Sequence, residues 1–289
     1  MRDYLRDYLN AGAAMKISVK TTQPEKFLKA CLMIGVFENG TLTPSASGID
    51  KASKNLLSKL IKQGTFQGKI GQILPLFHLA DSDFEHILLV GCGPEKSLSG
   101  SNFRRIVSAA AQALHQTQTV QAVCYLTQLD VNKQSLAWKV KQITEIVYES
   151  VYRFDLFKSK KEPAIALKEF IIHVPDAAQE KACQSALKQG MAIADGMLLT
   201  KNLANLPSNI CTPTFLAEQA KDLAKSYSSL SLKVLEEKEM HKLGMGAILA
   251  VSQGSAEDAK LICLEYKGAN KKQAPVALIG KGITLIQAE

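Results

Sequence analysis

The chain has 289 residues, 46% hydrophobic, 6% aromatic and 21% charged, with mean hydropathy near zero, which is room for two ordinary domains and excludes disordered, coiled-coil and collagen-like classes. Lys and Arg number 35 against 27 Asp and Glu, and the formal charge of +8 permits weak attraction to nucleic acid or anionic surfaces without selecting either. No run reaches the roughly 20 apolar residues that span a bilayer, and the opening MRDYLRDYLN is charged where a secretory signal is apolar, so no membrane association is expected and the cytoplasm is the expected compartment.

Short β-branched or apolar runs ending in turn residues predict strands at KISVKT (16–21), ACLMIGVF (30–37), KIGQILPL (69–76) and HILLVGCG (86–93). Between them, IDKASKNLLSKLIKQG (49–64) predicts one helix with Leu56, Leu57, Leu60 and Ile61 on a single face and Gly64 closing it. A second amphipathic helix is predicted over SNFRRIVSAAAQALHQ (101–116), with Ser101 as its N-cap, before strand AVCYLT (122–127). A third helix, about 135–155, carries Trp138, Ile143, Ile146, Val147 and Val151 and precedes strand FIIHV (170–174). Strands alternating with helices predict parallel β-α-β units and a sheet covered on both faces.

After Pro175 the pattern changes to one long connecting helix over 176–207, ended by Pro207 and the turn-rich SNICTP (208–213). A new unit follows, with a helix at 213–227, a strand at 231–235, a short helix EKEMHKL, the glycine-punctuated GMGAILAVSQGS (244–255) and strands at 260–268 and 275–280. Two or three strands in about 80 residues read as an incomplete α/β layer. The expected organisation is therefore a possible non-native extension at 1–14, an α/β domain at 15–175, a connecting helix at 176–207 and the start of a second α/β domain at 208–289.

The six cysteines, at 31, 92, 124, 183, 211 and 263, form no CxxC or CxxxC pair and read as small buried hydrophobes. His78, His86, His115, His173 and His241 lack metal-ligand spacing, two of them sit beside strands, and none is expected to be catalytic. No GxSxG elbow is present. Gly91-Cys92-Gly93 follows a strand but lacks the third glycine of a dinucleotide fingerprint and runs into Pro94, so a tight strand-to-helix turn is expected. Gly280-Lys281-Gly282-Ile283-Thr284 lacks the upstream glycine of a phosphate loop. What remains is Lys281 pinned between two glycines at the carboxyl end of a strand, where open α/β sheets place their chemistry. Close backbone on both sides would hold such a lysine partly desolvated, and a neighbouring cation would lower its pKa enough for the neutral amine to act as a ligand. The plain reading, an exposed turn lysine, stays open beside it.

From about Gly190 onward the motifs gather in order: Asn202-Leu203-Ala204-Asn205-Leu206-Pro207-Ser208-Asn209-Ile210-Cys211-Thr212-Pro213, Leu243-Gly244-Met245-Gly246-Ala247, Val251-Ser252-Gln253-Gly254-Ser255, Leu264-Glu265-Tyr266-Lys267-Gly268 and Leu278 to Thr284. This run resembles the leucyl aminopeptidase (cytosol aminopeptidase) family, with Asn202 where the family pattern usually has Asp. Residues 15–175 are similar to the family's macro-domain-like amino-terminal domain. The resemblance implies a cytosolic homo-hexamer in protein turnover that removes amino-terminal residues, leucine preferred, from peptides with two manganese or zinc ions.

By the same resemblance Lys281 is a metal ligand. The family continues with an aliphatic residue and Thr-Phe-Asp, the aspartate being the next ligand, whereas here Leu285-Ile286-Gln287-Ala288-Glu289 follows Thr284 and Ile286 takes the aspartate's place. An isoleucine cannot coordinate a cation, so this chain is expected to bind no metal and to be inactive. Deleting one T from TTT GAT ACA GGC GGA ATA A gives TTG ATA CAG GCG GAA TAA, which encodes Leu-Ile-Gln-Ala-Glu and a stop, so a frameshift after Thr284 is expected, with a separate downstream catalytic fragment as a possible partner. Met15-Lys16-Ile17-Ser18-Val19 looks like the family's usual beginning, which makes residues 1–14 a misassigned start or a genuine short tail. The alternative from another class is a non-catalytic, DNA-binding accessory module; lysines spread over helix faces speak against it.

Overall fold

Alternate residues of the central strands enter two different cores, and this makes the strands apolar throughout. In β2 (Cys31–Val36), Cys31 and Met33 join one cluster while Leu32, Ile34 and Val36 join another; in β4 (His86–Gly91), Leu88 and Val90 oppose Ile87 and Leu89. β5 (Gln121–Cys124) and β6 (Glu169–His173) divide in the same way, with Phe170 and Ile172 on one face and Ile171 on the other. A period-2 strand buried on both faces loses its hydrophobic alternation. Together with β1 (Lys16–Lys20) and β3 (Ile73–Phe77) they form a six-stranded sheet in the order β1-β6-β5-β2-β4-β3.

The computed structural model describes residues 15–78, 84–161, 163, 165–268 and 273–282. It divides into two compact units, one reaching Lys201 and the other starting at Asn202. The expected extension at 1–14 and the tail at 283–289, including Ile286, lie outside the described residues.

In the first unit every sheet pairing is parallel except that of β3, which runs antiparallel to β4 from Ile73↔Val90 to Phe77↔His86. The expected strand at 69–76 thus begins late: Gly71 has φ +74° and the Gln72 N–H donates to the Lys69 carbonyl, which turns the chain. Pro75 suits this edge position, where its missing N–H costs no ladder bond. The single helix expected over 49–64 is two, α1 (Pro44–Ala52) and α2 (Leu56–Lys62), because Lys54 and Asn55 take left-handed φ of 52° and 59°. Asp50 drives the break, since its carbonyl accepts from the Asn55 N–H and its carboxylate from the Ser58 N–H and hydroxyl.

α3 (Gly100–Leu114) is capped by Ser99, whose hydroxyl accepts from the Asn102 N–H at 3.2 Å; the expected cap, Ser101, is the second residue of the helix, within its first turn. α4 (Leu136–Ser150) is capped by Ser135 and stops at Ser150, short of the expected 155. α5 (Ala177–Asn205) brings Cys183, Ala186 and Leu187 into the same core as α3 and α4.

In the second unit, Thr212 caps α6 (Pro213–Ser226) and Pro213 occupies its first turn. β7 (Leu230–Glu236) pairs antiparallel with β8 (Lys260–Tyr266), and a capping box between Glu236 and Glu239 starts α7 (Glu237–Lys242). The glycine-punctuated segment contains α8 (Gly246–Ser252). The strand expected at 275–280 does not form: Val276, Leu278 and Ile279 are 88%, 95% and 97% exposed, and among the described residues no strand pairs with them. An apolar run becomes a strand only where a neighbour completes its ladder. Five cysteines are buried as expected, but Cys263 on β8 is exposed. No described helix is long and apolar enough to cross a membrane.

Candidate functional site

Lys281 lies in residues 273–282, which carry no helix or strand, and its side chain is exposed. A Cβ built at Gly280 or Gly282 would meet nothing within 4 Å, so the close backbone expected around Lys281 is not there and burial does not desolvate its amine. The lysine is therefore presented on an unpaired segment and not at the end of a sheet strand.

The second unit's chemistry is better ordered around α7 and α8. Glu237 Oε1 accepts from the Ala259 N–H and from the Ser252 hydroxyl, each at 2.9 Å, and these bonds hold its carboxyl below the usual range. An open groove of about 570 Å³ is lined by Glu237, His241, Gly244, Met245, Leu249 and Asp258, among others. Among the described residues, no group of three or more His, Cys, Asp or Glu side chains is placed to hold a metal ion. The donor set of a two-metal centre therefore does not fit the described residues: Lys281 offers a single amine, and hard divalent cations need several oxygens.

In the first unit, the expected strand-to-helix turn at Gly91-Cys92-Gly93 is a three-way junction. The Gly91 N–H donates to Gln72, the Cys92 N–H to Val36 and the Gly93 N–H to Gly68, while the next helix starts only at Gly100. No helix terminus follows directly to face a phosphate, and the three residues instead tie the end of β4 to β2 and to the 68–72 segment.

Sequence spacing alone had no means of showing a polar network at the carboxyl ends of β1, β5 and β6. Thr22 Oγ1 donates to the Tyr125 hydroxyl at 3.1 Å and lies 3.0 Å from His173 Nδ1, and the Thr127 hydroxyl donates to the His173 carbonyl at 2.6 Å. All four residues are buried, and burial pushes the Tyr125 hydroxyl up to about 12. Lys139 is similarly internal, its ammonium donating to the Thr127 and Leu129 carbonyls, and burial lowers its pKa.

Burial also lowers the pKa of His173 and of His115, the latter aided by the charge of Arg153. Each histidine binds its proton more weakly in the folded than in the unfolded chain, so its contribution is fully present above the unfolded value near 6.5 and is lost as the pH falls below it. The melting temperature is expected to drop between pH 7.5 and pH 5.5, and His173→Gln should flatten that slope. An unchanged melting temperature across the interval would contradict the assignment.

Comparison with known proteins places these features. Residues 33–161 match the N-terminal domain of the cytosol aminopeptidase family and residues 198–285 match its catalytic domain. The probable cytosol aminopeptidases of Thioalkalivibrio sulfidiphilus and Idiomarina loihiensis are 44% and 42% identical over 271 residues, 93% of this chain and 55% and 54% of theirs. A mutant of tomato leucine aminopeptidase superposes with TM-score 0.75 at 25% identity, over 91% of this chain and 53% of that one. The bottromycin maturation enzyme BotP, in complex with Mn, shares the fold with TM-score 0.63 at 23% identity, over 82% of this chain and 45% of its own. The chain spans about half the length of the curated relatives it matches.

Proposed function

This chain belongs to the cytosol aminopeptidase family, and on that premise we propose that it represents the leading half of a cytoplasmic, metal-dependent leucyl aminopeptidase acting on the amino-terminal residues of peptides. The observation that carries the reading is the ordered match of two successive domains of one family. Lys281 is proposed as a metal ligand from the resemblance of its Gly280-Lys281-Gly282 turn to the family pattern. In the intact family two manganese or zinc ions supply Lewis acidity and a nucleophile at neutral pH. The full-length assembly is a homo-hexamer by the same resemblance.

The first unit supplies a rigid platform whose buried polar network fixes the sheet's carboxyl edge, and the second contributes the β7–β8 ladder and the segment bearing Lys281. Taken alone, the 289-residue chain is proposed to be inactive, since Ile286 replaces the aspartate and Lys281 by itself does not retain a divalent cation. Leucine-p-nitroanilide hydrolysis with added manganese tests this. No turnover above the protein-free rate is expected, and turnover lost on Lys281→Ala would overturn the inactive reading while upholding the peptidase one. The departure of Leu285-Ile286 from the family's Phe-Asp is proposed to be a shift of reading frame, which the nucleotide sequence across codon 284 tests: the alternate frame should encode Phe-Asp, and unrelated sequence there would refute it.

A further inference from the structure

The sequence holds a single Asn-Gly pair, Asn39-Gly40, and the fold sets it at the tip of the tight hairpin that follows β2. Val36 bridges antiparallel to Leu42, the Phe37 N–H donates to the Thr41 carbonyl at 2.9 Å, and the Gly40 N–H donates to the Phe37 carbonyl at 2.9 Å. Gly40 takes φ +80°, a turn conformation that suits glycine, and Asn39 is exposed. Nothing in the peptidase reading uses this loop.

The Asn39 side chain is held at both ends of its amide. Oδ1 accepts from the Thr41 N–H and Nδ2 donates to Glu95 Oε2, each at 3.0 Å. The two bonds have opposite chemical effects. A donor on Oδ1 stands where negative charge develops if a nucleophile adds to Cγ. The bond to Glu95 ties the amide to the 93–96 turn and resists the rotation that would bring Cγ over the Gly40 nitrogen. That nitrogen is the nucleophile the chain itself supplies, and because Gly40 has no Cβ, closure of a five-membered imide meets no side chain there. The one bond that engages the Gly40 N–H lies in an exposed turn, where local opening is cheap. The chain's one Asp-Gly pair, Asp195-Gly196, lies inside α5, where helical backbone opposes the same closure.

We propose that Asn39 is a site of spontaneous deamidation and that Glu95 is the clasp that slows it. The Gly40 nitrogen bonds to Asn39 Cγ, the Cγ–Nδ2 bond breaks, and the proton of the Gly40 N–H leaves with the amine as ammonia. Water then opens the cyclic imide at either carbonyl, giving aspartate or isoaspartate without any change of oxidation state. The product sets a carboxylate where Nδ2 met Glu95, so a hydrogen bond becomes a like-charge contact and the clasp between the hairpin and the 93–96 turn opens. The site is separate from Lys281 and stands whether or not the chain derives from a peptidase.

Ageing the full, folded chain in mildly alkaline buffer tests this by peptide mass spectrometry against a zero-time sample digested identically. Trypsin releases residues 30–51, in which Asn39 is the sole side-chain amide, so the assignment is unambiguous. Conversion of this peptide to aspartate and isoaspartate forms is expected, with peptides carrying the other asparagines intact. Glu95→Ala, an exposed change with its fold checked by thermal melting, should speed conversion about threefold. In Asn39→Asp, amide hydrogen exchange at Gly40 and Thr41 should rise about threefold, and adding Glu95→Gln should reverse the rise. No product above the zero-time sample while a synthetic 30–51 peptide converts fully would overturn the site. A conversion rate unchanged in folded Glu95→Ala would overturn the clasp, and exchange in Asn39→Asp equal to that of the unsubstituted chain would overturn its opening by the product. None of these readouts depends on the hydrolysis assay.

Discussion

Gly91→Ala should destabilise the first unit by about 3 kcal/mol or more, an overpacking cost at the upper end of the usual range. A Cβ there would lie 2.0 Å from the Lys69 carbonyl oxygen and 2.8 Å from the Gly68 carbonyl carbon, both main-chain atoms that cannot rotate away. Retreat of the 68–72 segment would break the bonds that tie it down: the Gly91 N–H donates to the Gln72 carbonyl at 2.8 Å, the Gly71 N–H to the Gly91 carbonyl at 3.0 Å and the Gly93 N–H to the Gly68 carbonyl at 2.8 Å. Each lost bond adds about 1 kcal/mol. Gly48→Ala is the matched control, since a Cβ at Gly48 meets nothing within 4 Å and α1 gains up to about 1 kcal/mol of helix propensity. Urea melts of both variants would measure the difference, and a Gly91→Ala midpoint equal to that of the unsubstituted chain would refute the junction's role.

The same glycine shows how far the sequence was legible. That Gly91-Cys92-Gly93 was not a dinucleotide loop could be read from the missing third glycine and from Pro94, but its partners at Val36 and at residues 68–72 are brought in by tertiary folding. Strands β2, β4 and β6 were evident because burial on both faces writes continuous apolar runs into them. Residues 275–280 carry the same signature and are not a strand, since the signal records a propensity to be covered and not the presence of a cover. The break at Lys54 and Asn55 escaped notice because neither is a glycine; the left-handed turn there is supported by the Asp50 hydrogen bonds. At the candidate site, the flanking glycines single out Lys281, and of the two readings they leave open, a desolvated amine or an exposed turn lysine, the fold shows the exposed one.

Phe170→Ala is the second large effect, expected at about 3–5 kcal/mol, as for a fully buried aromatic whose surroundings cannot collapse. Phe170 is completely buried in β6, between Ile17 of β1 and Ala122 of β5 in the sheet register. The small side chain of Ala122 leaves its neighbour's volume to be filled by the phenyl ring, on the face that also holds Ile143 and Val147 of α4 and Cys183 and Leu187 of α5. β6 is hydrogen-bonded on both sides, so the backbone cannot close over the space left by truncation, and the loss includes a cavity term beyond the transfer of the ring. Leu264→Ala on β8, where the side chain is 45% exposed, should cost less than about 1 kcal/mol and serves as the contrast. Chemical denaturation read at Trp138, which partly buries against the same core, would follow the first unit directly. A Phe170→Ala loss no larger than that of Leu264→Ala would mean that the helices repack onto the sheet without the ring.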